Sequence, residues 1–312
     1  EGFQHVSTQQ GVRQWRLQAE RAFFYQADGI VHARDVKADI YDAQGRVTQV
    51  TSKEAKYFME SRDLELFGDV HTIYPTGFET ISPYMLYRSS RREAIVPPAY
   101  PVEGRSVVDA RSGRGTGPEK FDFRAKGLRY LGLDDRIHLL SEVVVRVIKS
   151  EPGKDPEITT IESDYGNIDR KQNIILFSML ESRPADLRFV KISQPGMTSR
   201  SRRAEFRIDA NPRKLRTVRA LDDVKIEEKP AETSDYATNP RRRSKLAKTR
   251  YATAGVAEFD SARNLILLRD YPQVYQDRDT ITGETIIVHR DSDLVEVDQS
   301  NAFSEGENPQ DE

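Results

Sequence analysis

Cysteine is absent from the 312 residues of the chain. That absence excludes disulfides, thiolate metal sites and a cysteine nucleophile. Histidine is scarce, and no two of its five occurrences have the spacing of metal ligands. The histidines are His5, His32, His71, His138 and His289. Most of them alternate with apolar residues, as surface imidazoles on strands do.

Apolar residues are also in short supply. Hydrophobic residues make up 37% of the chain and charged residues 31%, whereas about 45–50% and about 25% are usual in globular domains. The longest uncharged apolar run, residues 174–180, is too short to span a bilayer. Because 13 Phe, 13 Tyr and 1 Trp are scattered along the chain, disorder throughout is not expected either. The composition favours thin layers with one exposed face over a thick core.

Charge is unevenly distributed, although the formal net charge is only −2. Residues 200–250 contain 16 basic and 8 acidic residues, whereas residues 258–312 contain 4 basic and 14 acidic residues. The near-neutral total therefore conceals a basic segment followed by an acidic one.

The apolar residues recur mostly with a period of two, which is typical of strands. Val36, Ala38 and Ile40 alternate with charged residues, and residues 143–148 form a β-branched run. Turn signals separate such runs about every ten residues. No window of helical length keeps an apolar stripe, so the sequence predicts an all-β protein.

A short motif recurs along the chain: a small residue, Ala three positions later, and an aromatic residue two positions after that. Its copies are Ala19/Ala22/Phe24, Ser52/Ala55/Tyr57, Ser82/Met85/Tyr87, in which Met replaces Ala, Ser201/Ala204/Phe206 and Ala254/Ala257/Phe259. Apolar pairs such as Leu64/Leu66 and Leu265/Leu267 follow on a second strand. The repeated unit is therefore a β-hairpin, which must stack on its neighbours to bury its apolar face.

Interruptions of the repeat suggest the organisation of the chain. The proline- and glycine-rich residues 90–118 predict a long loop, and the polar residues 228–250 predict a flexible insertion. A break near residues 151–156 predicts two lobes, 1–150 and 157–303, followed by a disordered acidic tail at 304–312.

Catalytic and nucleic-acid signals are weak. No serine lies on a glycine-rich elbow, and the glycine-rich residues 113–117 lack the Lys-Ser/Thr of a phosphate loop. A hydrolase with two carboxylates assembled from distant residues is a remote alternative. The basic runs 200–207 and 241–250 are expected to be solvated, with an anionic headgroup as the second choice and nucleic acid as the third. We expect no enzyme activity, no metal and no cofactor.

The repeated apolar face leaves two alternatives open. It can be a sealed core whose residues touch only one another, or a groove between splayed sheets. The low apolar content favours the groove. An open apolar trough suits long alkyl chains, whose burial contributes about 0.8 kcal/mol per methylene.

Several segments resemble a known family. The motifs in the first 150 residues are Trp15-Arg-Leu-Gln-Ala19, Val36-Lys-Ala-Asp-Ile-Tyr-Asp42, Ser52-Lys-Glu-Ala-Lys-Tyr57, Leu64-Glu-Leu-Phe-Gly-Asp-Val70 and Phe121-Asp-Phe-Arg-Ala-Lys-Gly-Leu-Arg-Tyr130. This part is similar to the periplasmic domain of LptC, the membrane-anchored component of the lipopolysaccharide-transport machinery.

The later segments resemble the related soluble bridge protein LptA, of the same OstA-type β-jellyroll family. The motifs of this chain that carry the resemblance are Ile161-Glu-Ser-Asp164, Ala257-Glu-Phe-Asp260, Leu265-Ile-Leu267, Ile281-Thr-Gly-Glu-Thr-Ile286 and Leu294-Val-Glu-Val297. One departure is Asp270, which stands where the family often has glycine in its Leu-x-Leu-x-Gly-x-Val strand. The insertion at 228–250 has no counterpart in the family.

The resemblance implies an elongated, twisted, V-shaped antiparallel β-jellyroll in two fused lobes. It implies a periplasmic protein that passively relays lipopolysaccharide from the inner-membrane transporter toward the outer membrane. We also expect tethering to the inner membrane by an N-terminal helix that is not part of this chain. The expected lipid-binding residues are Val36, Ala38, Ile40, Tyr57, Leu64, Leu66 and Val70 in the first lobe and Ile174, Leu176, Phe206, Phe259, Leu265 and Leu267 in the second.

The expected partners are lipopolysaccharide, the periplasmic jellyrolls of an inner-membrane ABC transporter, and further bridge or outer-membrane jellyrolls that pair at the sheet edges. The alternative function is a structural or adhesive β-solenoid with no lipid role.

Overall fold

The fold is all-β, as the sequence predicts. The computed structural model describes residues 2–9, 11–42, 44–75, 77–106, 120–150, 153, 155–184, 187–210, 213–229, 249–260, 263, 265–276, 279–289, 294–299 and 301–304. These residues form 23 strands and one short 3-10 helix, Ser89–Arg91. They divide into two compact units, Glu1–Pro156 with Asp164–Gln172 and Glu157–Ser163 with Asn173–Glu312.

The first unit contains ten antiparallel strands. They are β1 (Phe3–Gln9), β2 (Val12–Tyr25), β3 (Ile30–Tyr41), β4 (Val47–Phe58), β5 (Leu64–Tyr74), β6 (Phe78–Arg88), β7 (Glu93–Ser106), β8 (Lys120–Leu131), β9 (Arg136–Lys149) and β11 (Tyr165–Asp169). From β1 to β9 each strand pairs with its successor in the chain, and β11 pairs with β9. This serial pairing is the stacked hairpin repeat that the sequence indicates.

The long strands of this unit are bent, so each one contributes to two facing walls. Tyr57 pairs with Val31 of β3, and Trp15 pairs with Ile40 of the same strand, nine residues further along. A straight strand would separate those two positions by about 30 Å. The rings of Trp15 and Tyr57 are nevertheless 5.0 Å apart. The strands therefore fold back on themselves, and the interior of the unit lies between the two walls.

The bends coincide with irregularities in the ladders. Register shifts fall between Thr51 and Glu54, between Phe67 and Val70, and between Arg124 and Lys126. Gly68 and Gly127 have φ of 71° and 78° at these bends, in the left-handed region that glycine adopts readily. Asp270 in the second unit has φ of 59°, in the same left-handed region as Gly68 of the first unit.

The small residue of the repeated motif lies at the bend. The hydroxyl groups of Ser52, Ser82 and Ser201 each donate to the carbonyl oxygen two residues later, at 3.0, 3.0 and 2.8 Å. A side chain of this size occupies the inside of the corner, and its hydroxyl satisfies a carbonyl that is turned out of the ladder. The repeat in the sequence therefore marks where each strand changes walls.

The predicted loop at 90–118 is wrong for residues 93–106, which form β7. Prolines suggested a loop because they cannot donate to a ladder. Pro97 and Pro98 follow Val96, and the pairing of β7 with β8 is interrupted between Val96 and Pro101. The missing N–H groups therefore fall where the strand bends and no ladder bond is required. Residues 107–119 lie outside the described part of the chain.

The second unit has two rows of strands joined by two long members. Its strands are β10 (Glu157–Ser163), β12 (Ile174–Ser178), β13 (Val190–Gln194), β14 (Met197–Ser201), β15 (Arg203–Ala210), β16 (Arg213–Glu228), β17 (Arg250–Asp260), β18 (Leu265–Arg269), β19 (Gln273–Gln276), β20 (Asp279–Thr282), β21 (Thr285–His289), β22 (Val295–Asp298) and β23 (Asn301–Ser304).

One row runs β10–β13–β14–β16–β17–β19–β20–β23 and the other β12–β15–β16–β17–β18–β21–β22. The strands β16 and β17 belong to both rows, and their mutual register shifts between Leu221 and Val224. Of the predicted insertion, residues 230–248 lie outside the described residues, as do residues 305–312 of the predicted tail.

Replacement of Ser82 by Ala tests the corner bond. Loss of the bond to the Tyr84 carbonyl should lower the free energy of unfolding by about 0.5–1.5 kcal/mol. The matched control is Ser90→Ala, because Ser90 is exposed and should change stability by less than about 0.5 kcal/mol. Urea titration followed by circular dichroism measures both. Equal midpoints for the two variants would show that the corner hydroxyl contributes nothing.

Candidate functional site

The interior of the first unit contains the seven residues expected there from the sequence. Six of them are buried, with at most 6% of their surface exposed, and Ile40 is half-buried. The bend divides the seven between the two walls. Val36, Ala38, Ile40 and Val70 lie on one side of the bend, and Tyr57, Leu64 and Leu66 lie on the other. The interior is therefore lined from both walls by these side chains.

Three rings join the two walls at the β1 side of this interior. The imidazole of His5 lies 5.3 Å from the Trp15 ring and 4.8 Å from the Tyr57 ring. Burial lowers the pKa of His5 below its ordinary value of 6.5. The imidazole is therefore uncharged at neutral pH, as suits an apolar interior.

A surface cavity of about 1010 Å³ lies at β1, β2 and β3. Phe3 and Phe24 meet there edge to face at 5.7 Å, and Arg21, Asp35 and Lys37 also line the cavity. Phe24 occupies the aromatic position of the repeated motif, yet 63% of its surface is exposed. The equivalent Tyr57 is only 6% exposed. The ring of the first copy is therefore exposed to solvent, whereas the rings of Tyr57, Tyr87 and Phe206 in later copies are buried.

In the second unit, the residues expected from the sequence fall on both faces of their strands. Phe206 is buried and contacts Phe177 edge to face at 5.3 Å, and Phe259 is half-buried against the core. The expectation that Ile174, Leu176, Leu265 and Leu267 share that face is wrong. These four are half-buried, and the fully buried neighbours are Ile175, Phe177, Ile266 and Leu268.

The pairing of the strands explains the error. Ile175 lies directly opposite Phe206, and Ile266 lies directly opposite Phe259. Opposite residues share a face of the sheet. The runs Ile174–Phe177 and Leu265–Leu268 are apolar at every position, so alternation within the strand could not identify the inward face. The aromatic Phe177 was the only local signal for the correct choice.

Sequence reasoning missed the buried carboxylates on the polar faces of the strands. Glu79 accepts hydrogen bonds from Arg105 and from His71, whose Nε2 lies 2.9 Å away. The bond from Arg105 is the main cause of the lowered pKa of Glu79. Glu93, only 1% exposed, is paired with Arg129. Such pairs leave no local pattern, because their members are distant in the chain.

Part of the basic run 200–207 is neutralised by neighbouring strands. Arg203 pairs with Asp222 at 2.7 Å, and the Arg202 guanidinium lies 4.7 Å from the centre of the Phe189 ring. Residues 241–248 of the second basic run lie outside the described residues. Among the residues that the structure describes, no group of three or more His, Asp and Glu side chains could hold a metal ion. No helix within the described ranges is long and apolar enough to cross a membrane.

Comparisons with known proteins agree with the resemblance over the first strands. Residues 4–81 match the family model described as lipopolysaccharide-assembly, LptC-related. Among solved structures, the chain is similar to LptH from Pseudomonas aeruginosa, described as the LptA homologous periplasmic component of the lipopolysaccharide transport device. That likeness has 15% identity and a TM-score of 0.37, and it covers 47% of this chain and 95% of the other. None of the curated proteins matches.

His5 should make stability depend on pH. Its pKa is lowered by folding, so the unfolded chain takes up the proton first as the pH falls below 6.5. The contribution of His5 to stability is therefore complete above pH 6.5 and decreases below it.

Thermal unfolding at pH 7.5 and pH 5.5 checks this expectation. His5→Phe keeps a ring against Trp15 and Tyr57 and should reduce the loss of melting temperature at the lower pH. Some loss should remain, because burial also lowers the pKa of His138. An unchanged pH dependence in His5→Phe would contradict the assignment.

Proposed function

We propose that this chain is a periplasmic component of lipopolysaccharide export, which holds the acyl chains between its walls and passes them on without chemical change. The observation that carries the proposal is the position of the LptC-related match. Residues 4–81 contain all seven residues expected to line the first interior, from Val36 to Val70. The matched segment also includes both walls of the bend between β1 and β5.

The physical basis is apolar burial without specific chemistry. Each methylene removed from water contributes about 0.8 kcal/mol. A long acyl chain therefore binds firmly to an apolar trough that has few specific contacts. The interior side chains are buried against one another. A bound acyl chain therefore has to replace contacts between the walls, with the bends at the register shifts acting as hinges.

Assembly with other jellyrolls follows from the sheet edges. Among the described strands, β1 pairs with β2 alone, and β22 pairs with β21 alone. An edge strand with free N–H and C=O groups can accept a strand from another protein. We propose jellyroll subunits of an inner-membrane ABC transporter and further bridge proteins as the partners, and tethering of the chain at the inner membrane. The LptA-like assignment of residues 157–303 rests on the sequence motifs quoted above.

Photo-crosslinking at neighbouring positions of one strand tests the trough in the first unit. Val36 is 3% exposed and faces the interior, and Lys37 next to it is exposed on the other face. A photoreactive residue at position 36 should capture lipopolysaccharide, and one at position 37 should not. Capture at position 37 alone would disprove the trough.

The second unit offers an equally close pair. Leu268 is 1% exposed and points to the core, whereas Leu267 is half-buried on the opposite face. If the second unit also holds acyl chains, crosslinks should form at position 268 and be much weaker at position 267. The reverse result would restore the face that the sequence suggested and contradict the buried face as the lining.

The alternative, a structural or adhesive β-solenoid, makes a different prediction. Native mass spectrometry of the chain after incubation with lipopolysaccharide should detect a bound species, and organic extraction should release acyl chains. A solenoid with a permanently sealed core should release none. Val70→Asp, which places a carboxylate in the apolar interior, should prevent binding, and circular dichroism shows whether the fold survives.

A further inference from the structure

Two polar atoms in the first unit are buried without a hydrogen-bond partner among the described residues. They are Oγ of Ser7 and Nε1 of Trp15. Ser7 is 4% exposed and Trp15 is completely buried. The two residues are direct partners across β1 and β2, so their side chains lie next to each other on one face. We refer to them as the Ser7–Trp15 pair.

The chemistry of the pair defines what it can bind. The indole N–H can only donate, and the hydroxyl can both donate and accept. Each atom lacks a partner, so the two do not bond to each other. A buried donor without an acceptor is unfavourable, because it has lost its water and received nothing in exchange. One oxygen placed between the two groups would satisfy both.

The surroundings favour an uncharged oxygen. The Trp15 ring is packed against Tyr57 at 5.0 Å and against His5 at 5.3 Å. A phosphate or carboxylate would lose its hydration among these rings. A plain hydrocarbon would leave both polar atoms unsatisfied. A pair with these groups would therefore favour an acyl chain that carries an oxygen over one that does not.

We propose that the Ser7–Trp15 pair is a specificity site for a hydroxyl or carbonyl oxygen on a bound acyl chain. This inference rests on the proposed function, because it requires an acyl chain in the first interior. It adds a polar contact to a binding mode that otherwise depends on apolar area alone.

Binding of matched fatty acids to the full chain tests the proposal. Myristate, β-hydroxymyristate and ω-hydroxymyristate have the same carboxylate and chain length, and the last two carry a hydroxyl near opposite ends. Displacement of a fluorescent fatty acid gives the three affinities. At least one hydroxylated chain should bind about 3- to 10-fold more tightly than myristate, as expected for one net hydrogen bond.

Two variants should abolish this preference, so that the hydroxylated chains and myristate bind with equal affinity. Trp15→Phe keeps an aromatic ring but has no N–H, and Ser7→Ala has no hydroxyl. Ser82→Ala is the matched control, because its buried hydroxyl is already bonded to the Tyr84 carbonyl. It should keep the preference. Since Trp15 is the only tryptophan, its emission should also shift to a different extent with the hydroxylated chain than with myristate, and Ser7→Ala should remove that difference.

The outcomes separate this inference from the proposed function. If no fatty acid and no lipopolysaccharide binds, both fail. If the three fatty acids bind equally to the unmodified chain, or if the preference survives in both variants, the Ser7–Trp15 pair is not a ligand site and holds water at most. Thermal unfolding monitors the fold of each variant, and Ser7→Ala decides alone if Trp15→Phe does not fold.

Discussion

Each long strand has to leave one wall of its unit and continue in the other, and the rest of the structure depends on this constraint. A flat ladder cannot make that change, because adjacent strands would lose their hydrogen bonds at the corner. Bulges and positive φ angles absorb the turn, and serine hydroxyls satisfy carbonyls that the turn releases. Once the corners are fixed, residues that pair with distant positions of one strand come into contact, as Trp15 and Tyr57 do on either side of β3.

The two faces of these bent strands differ in chemistry and in their contribution to the fold. The inner face is apolar and thin, which is why 37% hydrophobic residues are enough to line it. The outer face is held by pairs of opposite charge between neighbouring strands, such as Arg219 with Glu258 at 2.9 Å. Half-exposed pairs of this kind contribute little to stability individually. They instead give each pair of strands a preferred register and keep the outer face polar.

The parts of the fold that could be predicted are those that repeat. The spacing of small residue, alanine and aromatic residue identified the hairpins, because every copy after the first packs its aromatic residue against a core. The seven interior residues of the first unit were predictable for the same reason. The inward face could not be predicted for strands that are apolar at every position. Leu267 and Leu268 are equally apolar, and only the pairing with the neighbouring strand decides which one points inward. The prolines of β7 led to the wrong prediction because they lie where the ladder with β8 is interrupted, and the sequence of β7 alone does not reveal that interruption.

Pairing between immediate neighbours also has a consequence for how the first unit is made. From β1 to β9, every strand finds its partner in the next segment of the chain. Apart from the 13 residues between β7 and β8, the connections are short, so closing them costs little entropy and pairing can proceed rapidly. A chain that emerges gradually from its N-terminus, whether from a ribosome or through a translocation channel, can therefore add one strand at a time. The second unit differs, because β10 pairs with β13 and β17 pairs with β19, and neither pair is consecutive in the chain. Its assembly has to be delayed until a longer stretch is available.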